Sequence, residues 1–289
     1  MSRLVILGGS GPVGQALIRQ LPADEPFLVL GRHAPAGGLN HWHPFDPVSG
    51  RLDQAVGEAD VLFHLAPLPL LPRLLESAWP QGLTRIVALG TTSARFKRDS
   101  RSERERHTAW EQARAEEALA QRADRAGVAW TLIRPTLTYG PGDRNISRIA
   151  FFIRRFGFFP LVGGGTGLRQ PLAVADLAGA CLAVLAHPRT RGRGYDLGGG
   201  ETLTFRAMVE RVFRALGRTP HQVPVPRTWA RAGLRLFARL PGWHFLDAEM
   251  ADRMEQDLVV DWLPARSDFG FDPAPFHPDP CSGGEDRDV

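Results

Sequence analysis

The chain has 289 residues, 43% of them hydrophobic, which is enough to bury one large core and a smaller satellite. Its formal charge of +4 is small for that length, and the pI near 9.8 arises because all but one of the 35 basic residues are arginine, so a nucleic-acid partner is not indicated. Cys181 and Cys281 match neither a disulfide framework nor a metal-ligand spacing, the first residues enter a strand rather than a leader, and the most apolar late run, "IAFFIRRFGFFPLV", is broken by Arg154 and Arg155; the expectation is a soluble cytoplasmic protein without a transmembrane segment.

In chain order, "RLVIL" is a short apolar strand, "GGSGPVG" a glycine-rich turn and "GQALIRQL" a helix. "PFLVLG" and "ADVLFHLA" are further strands, "LPRLLESAW" a helix and "TRIVALG" a fourth strand. A polar helix over about 107–126 precedes the strand "AWTLIRP". Strands alternating with helices predict an α/β fold with a Rossmann-like, doubly wound parallel sheet, since parallel neighbours need crossovers and buried strands read as continuous apolar runs. Beyond Gly140 the pattern changes to a helix near 145–156, the loop "VGGGTG", a strand and helix in "RQPLAVADLAGACLAVLAH", the strand "GYDLGG" and the helix "TFRAMVERVFRALG". The expected organisation is a Rossmann domain over 1–142 with 169–190, a smaller C-terminal lobe over 143–168 with 191–278, and a polar, disordered tail over 279–289.

Gly8, Gly11 and Gly14 recur every three residues where the first strand hands over to the first helix. Glycines at such a place give the turn its backbone angles and let the main chain approach a pyrophosphate; within this strand–turn–helix context the pattern predicts dinucleotide binding, with Ser10, Pro12 and Val13 in the same turn. An acidic residue usually ends the second strand in NAD-preferring sites, whereas this chain has Arg32, a cation where a 2′-phosphate would lie. The expected cofactor is therefore NADP, with NAD the second choice; the plain reading of Arg32 is a surface arginine in an arginine-rich chain.

These motifs, together with "FDPVSGRLDQAVGEADVLFHLA", "ALGTTSA", "LIRPTLTYGPGD", "RQPLAVADLAGA" and "YDLGGGETLTF", resemble in order and spacing the extended and atypical short-chain dehydrogenase/reductase family, which includes the NAD(P)-dependent epimerase/dehydratase proteins. The likeness runs from about residue 3 to about 275. It implies a cofactor domain, and a lobe closing over a substrate that is often a nucleotide-linked sugar. By the same resemblance Asp46 would face the adenine, Leu65 and Ala66 would line the cofactor, and Pro135, Thr136 and Leu137 would lie by the nicotinamide. Arg169 and Gln170 match the edge of the substrate lobe and are candidate phosphate contacts. Family members often dimerise through the helix at 107–126, so a homodimer is one expectation, although the sequence leaves oligomeric state open.

The resemblance stops at the catalytic pair. Active members carry Tyr-x-x-x-Lys on the helix before "WTLIRP", and here that helix reads "RHTAWEQARAEEALA". The best register puts Trp110 and Arg114 at the two positions, and a shift of two puts Thr108 and Gln112 there. None of these replaces a tuned tyrosine and lysine. Thr91, Thr92 and Ser93 end the fourth strand, where the family places the hydroxyl that binds a substrate oxygen. Lys97, the lone lysine, follows by four residues in "RFKRDSRSERER". It reads either as part of a solvated charge run or as an amine with a role in anion binding or proton donation.

Other features read as structural. His64 is a core or cofactor-wall residue, Asp176 a helix N-cap, and His41 with His43 have metal-like spacing but no third ligand, so no metal site is expected. The stripe Phe151, Phe152, Phe156, Phe158 and Phe159 is lobe core or, if exposed, an apolar patch. Two functions remain: an NAD(P)-dependent oxidoreductase or epimerase acting on a nucleotide-sugar or similar carbonyl or hydroxyl substrate with a modified acid/base set, or a cofactor-holding protein without turnover, structural or redox-sensing.

Overall fold

Four-residue runs with every position buried, apolar throughout in β1 (Leu4–Leu7) and apolar but for His64 in β4 (Val61–His64), make the central strands, because strands covered by helices on both faces have no solvent side. A computed structural model describes residues 3–34, 41–76, 79–226, 228–230 and 252–279. Around β1 and β4 lie β2 (Phe27–Gly31), β3 (Trp42–Pro44), β5 (Arg85–Leu89), β6 (Ala129–Pro135) and β11 (Arg193–Leu197). All pair in parallel, in the order β11-β6-β5-β4-β1-β2-β3. The chain winds outward from β1 in both directions, so the fold is a Rossmann-like doubly wound sheet with a switch point beside β1. Its strand ends at Leu7, His64, Leu89 and Pro135 share one edge.

The helices α1 (Pro12–Ile18), α2 (Leu52–Val56), α3 (Leu71–Leu74), α4 (Ser93–Phe96) and α5 (Glu103–Ala126) follow strands of this sheet. The core under α5 joins Leu119 and Ala123 to Leu62, Leu71, Ile86 and Leu132, all close to fully buried. α5 ends at Gly127, whose φ of 68° takes the left-handed cap conformation. A helix from later in the chain, α7 (Val174–Ala186), packs on α1, and Gln20 donates to the Ala175 carbonyl at 2.9 Å. Cys181 is buried on α7, and burial pushes its thiol up to about 12, so it is inert at neutral pH.

Arg85 is 7% exposed at the start of β5, and its Nη2 donates to the Thr131 hydroxyl at 2.7 Å, the Thr190 hydroxyl at 2.8 Å and the Val184 carbonyl at 3.1 Å. Burial draws the guanidinium down to about 10, with Arg191 adding to the effect. The cation thus closes the last turn of α7 against the entry to β5 and β6, where carbonyls without helical partners need donors.

The chain divides into two compact units: Met1–Pro135 with Val174–Leu197 and Asp261–Asp272, and Thr136–Ala173 with Gly198–Val260 and Pro273–Val289. The sequence reading drew its boundaries at 142, 169 and 190, and so placed "GYDLGG" in the smaller lobe. The strand β11 instead extends the large sheet, each of its five residues pairing with β6, and α9 (Leu263–Phe269) packs on it. Strand β3 has no counterpart in the sequence reading, since three residues with a proline carry no periodicity. Of the tail over 279–289, only Asp279 is among the described residues, and Cys281 lies outside them.

In the second unit α6 (Ile146–Phe156) and α8 (Phe205–Ala215) enclose a core of Ile149, Ile153, Leu161, Met208, Val212, Phe213 and Phe276. Short strands frame it: β7 (Thr138–Tyr139) with β10 (Leu172–Ala173), β9 (Leu168–Arg169) with β12 (Leu203–Thr204), and β8 (Phe159–Val162) with β13 (Gln222–Val225). The phenylalanine stripe splits: Phe159 is buried in this core, Phe152 packs against it, and Phe156 is 40% exposed.

Candidate active site

The turn after β1 has no room for side chains. A Cβ on Gly8, at φ 93°, would stand 2.8 Å from the Ala66 nitrogen and 2.9 Å from the Leu65 carbonyl carbon. One on Gly14 would stand 2.5 Å from the Gly9 Cα and 2.6 Å from the Gly8 oxygen. Gly11 is different, its nearest neighbour being 3.4 Å away, and serves as the N-cap before Pro12. The turn is therefore laid flat against Leu65 and Ala66, and Ser10 stands exposed at its tip, its carbonyl taking a hydrogen bond from Gln15 at 3.0 Å. Backbone this close to the sheet edge, with no Cβ in the way, fits a pyrophosphate.

Beside it, Arg32 is exposed just past β2. Asp46 follows β3, and its carboxylate accepts from the Ser49 hydroxyl at 2.6 Å and the Val48 amide at 3.1 Å. These bonds, the serine's first, hold its pKa below the usual carboxylate value, and the charge of Arg32 adds to them. His64 is 0% exposed at the end of β4, with Nε2 against the Pro67 carbonyl at 3.2 Å and Nδ1 without a partner among the described residues. Desolvation lowers its pKa to about 4, so it is neutral near pH 7.

Three hydroxyls past β5 have unlike roles. Thr92 is buried, and both its amide and its hydroxyl donate to the Pro135 carbonyl, at 3.2 and 3.0 Å, which splices the end of β5 to the end of β6. Thr91 and Ser93 pair with each other at 3.1 Å, and the Ser93 amide donates to the Thr91 oxygen. Thr136 donates to the Gln170 carbonyl, and the Leu137 carbonyl accepts from the Leu172 amide at 2.9 Å.

Lys97 has a structural partner. Its Nζ lies 3.2 Å from Glu105, whose carboxylate also accepts from the Ser100 hydroxyl at 2.7 Å. Glu105 is only 8% exposed, and a carboxylate in that place needs a cation. Lys97→Met is expected to cost about 1–2 kcal/mol, because it removes a cation beside the buried Glu105 carboxylate, whereas Lys97→Arg keeps the charge and most of the stability. Thermal unfolding of both variants, and of each combined with Glu105→Gln, checks this: the loss should shrink in the double variant.

The two faces of α5 differ in exposure. Trp110 is 55% exposed with the Arg114 guanidinium 4.7 Å from its ring centre, so both point outward. The opposite face carries Thr108, Gln112 and Glu116, four residues apart. Glu116 accepts from Arg134 at 2.9 Å, Arg134 also donates to Asp196 at 3.0 Å, and Arg95 joins the other Asp196 oxygen. Of the two registers weighed from sequence, the one with Trp110 and Arg114 points outward, and in the other Gln112 is half-buried while Thr108 is exposed and donates to the Arg104 carbonyl at 3.0 Å. Sequence reasoning missed Glu116, although a glutamate eighteen residues before "RP" on the helix was its available signal.

In the second unit Arg169 is 4% exposed, and its Nη1 donates to the Leu168 and Gln256 carbonyls at 2.8 and 2.7 Å, while its Nη2 donates to that of Arg253. Burial, then the charge of Arg253, lowers its pKa to about 10. Gln170 accepts from the Val260 amide at 2.8 Å and donates to Thr202 at 3.2 Å. Both side chains are therefore committed to holding 253–260 against β9. Both tyrosines are engaged too, Tyr195 donating to Asp268 at 2.7 Å and Tyr139 accepting from the His277 amide at 3.3 Å; burial, then Asp268, raises the pKa of Tyr195.

Residues 69–198 match the model of the NAD dependent epimerase/dehydratase family. Over that stretch the chain is similar to this family. Among similar curated proteins, the mitochondrial NADH dehydrogenase [ubiquinone] 1 alpha subcomplex subunit 9 of Arabidopsis thaliana is 31% identical over 152 residues, 52% of this chain and 35% of that one. The chain thus spans about a third of that relative. UDP-glucose 4-epimerase of Vibrio cholerae is 24% identical over 304 residues, 93% of this chain and 90% of the epimerase. Among solved structures, MoeE5 in complex with UDP-glucuronic acid and NAD superposes with a TM-score of 0.73 at 19% identity, over 97% of both chains, and agrees in fold. The UDP-glucuronic acid 4-epimerase of Bacillus cereus, in complex with NAD, does so at 0.71 and 13%, over 97% of this chain and 96% of that one. The described residues include no helix long and apolar enough to cross a membrane.

Proposed function

We propose that this protein is an NADP(H)-dependent oxidoreductase or epimerase that acts on a nucleotide-sugar or a similar carbonyl or hydroxyl substrate without the Tyr-x-x-x-Lys pair. The observation that carries the reading is the turn at Gly8 and Gly14, whose backbone lies against Leu65 and Ala66 with no space for a Cβ. NADP(H), when bound, supplies hydride transfer. The turn from Gly8 to Gly14 would hold its pyrophosphate and Arg32 its 2′-phosphate, with Asp46 beside Arg32 and Pro135 at the far end. Thr91 and Ser93, bonded to each other rather than to the backbone of another strand, orient a substrate oxygen. NAD-binding neighbours support the dinucleotide, and the full-length likeness to a UDP-glucose epimerase supports the substrate class.

A second reading, a cofactor-holding protein without turnover, is favoured by one observation: Lys97 and both tyrosines are engaged in structural bonds. NADPH absorbance followed against UDP-sugars, ketones and quinones separates the two. Net consumption of NADPH, or interconversion of a UDP-sugar seen by chromatography, supports the enzyme; tight cofactor binding with neither sinks it. Arg32→Ala is expected to weaken NADPH about tenfold and NADH hardly at all, read as dissociation constants by titration. Equal losses for the two cofactors would remove the 2′-phosphate role.

A further inference from the structure

Charge in the second unit is unevenly spread along the sequence. Residues 144–173 contain five arginines and no acidic residue, and residues 211–246 contain seven arginines and none, in a chain of net charge +4. The first stretch includes α6, whose buried face is Ile146, Ile149, Ala150 and Ile153. Its last turn presents Arg154, Arg155 and Phe156, all exposed, before Gly157 ends the helix at φ 77°. The Phe156 ring is 40% exposed, with its centre 4.6 Å from that of Phe152 and 6.4 Å from that of Phe158. The Arg155 guanidinium stands 5.4 Å from the same ring. The second stretch meets the first here, since exposed Arg218 donates to the Ile153 carbonyl at 2.8 Å and the His221 ring lies 6.3 Å from that of Phe158. A helix C-terminus favours one neighbouring cation, and Arg218 fills that place. Arg154 and Arg155 add two more charges beside an aromatic ring left in water.

We infer that this end of α6 is a docking surface for an anionic lipid bilayer, with Phe156 entering the headgroup layer and Arg154 and Arg155 pairing with lipid phosphates. The inference stands apart from the proposed reaction. Charge complementarity chooses the occupant: an arginine close to an anionic leaflet strengthens binding about fivefold, while its stem covers apolar surface and its head stays in water. An exposed phenylalanine among such cations has the make-up of an interfacial anchor. A second copy of the chain fits poorly, because a two-fold contact would set these arginines against one another. A nucleic acid fits poorly too, because rings packed on each other have no separate faces on which bases stack.

The test is flotation of the full chain with vesicles of phosphatidylcholine alone and of phosphatidylcholine mixed with phosphatidylglycerol. Binding is expected to the mixed vesicles only, and to weaken as salt is raised. Replacing both arginines, Arg154→Gln with Arg155→Gln, should weaken it about 30-fold, and Phe156→Ser about tenfold, whereas Arg154→Lys with Arg155→Lys should keep most of it. Melting temperatures are taken alongside. If the glutamine pair melts lower than the unaltered protein, Phe156→Ser decides, since it removes no charge. No binding to mixed vesicles, or equal binding to both kinds, overturns the inference. Binding that neither the glutamine pair nor Phe156→Ser weakens places any lipid contact elsewhere and overturns it as well. A single-stranded oligonucleotide, followed by anisotropy, is the competing probe: tighter binding to it than to vesicles, lost in the glutamine pair, would assign the surface to nucleic acid instead.

Discussion

Gly14→Ala is expected to abolish tight cofactor binding, raising the dissociation constant for NADPH by more than about 100-fold, roughly 3 kcal/mol. The substitution looks harmless by local criteria. Gly14 lies inside α1, where alanine is favoured over glycine by about 1 kcal/mol. The obstacle is tertiary: the added Cβ would meet the Gly9 Cα at 2.5 Å and the Gly8 oxygen at 2.6 Å, all backbone atoms that no rotamer change can move aside. The turn must open, and it then lifts from Leu65 and Ala66. Gly11→Ala is the control, since its nearest atom is 3.4 Å away and its φ of −75° suits any residue. Titration with NADPH should show a large loss for the first variant and a small one for the second. Similar losses for both would mean that glycine is needed at this turn for something other than space.

Lowering the pH from about 6.5 to about 4 is expected to remove roughly 3 kcal/mol of stability through one side chain, His64. In the unfolded chain this histidine takes up a proton near its ordinary value of 6.5, while in the fold desolvation holds it to about 4. Between those values the unfolded state binds more protons, so stability is complete above about 6.5, falls as the pH drops, and stops falling below about 4. His64→Leu should flatten that part of the curve in denaturant unfolding measured against pH, at the cost of the bond to Pro67. An unchanged slope in the variant would assign the acid sensitivity to other groups. The physical cause is the place of His64 between Leu7 and Ala88 in the sheet, where water does not reach the ring.

Much of the architecture is local and was therefore legible. Apolar runs of four or five residues, the glycine turn directly after the first strand, and amphipathic helices such as α6 and α8 are patterns within a dozen residues, and each appears where the sequence predicts it. The doubly wound sheet follows from alternation alone. Strand order does not: β11 reads as any strand, and only its pairing with β6, sixty residues earlier, puts it in the large sheet.

The candidate site divides the same way. Glycines report their role through missing atoms, so Gly8 and Gly14 are readable without a fold. A charged or amide side chain reports only that it can pair, and its partner is chosen by elements distant in sequence. Lys97 looked available for chemistry until α5 brought the buried Glu105 to it. Arg169 looked available for a phosphate, and the backbone of 253–256 takes its donors instead. On α5 the register with Trp110 and Arg114 lies on the outer face, whereas the inner face, marked by Gln112 and Glu116, is decided by packing in the fold. What the amino-acid order determined by itself is the fold class and the place of the glycine turn, because both rest on short-range periodicity and on the absence of side chains. What only the tertiary structure decided is which polar groups are already committed and which remain open to a ligand, because burial and hydrogen-bond partners are properties of the packed chain.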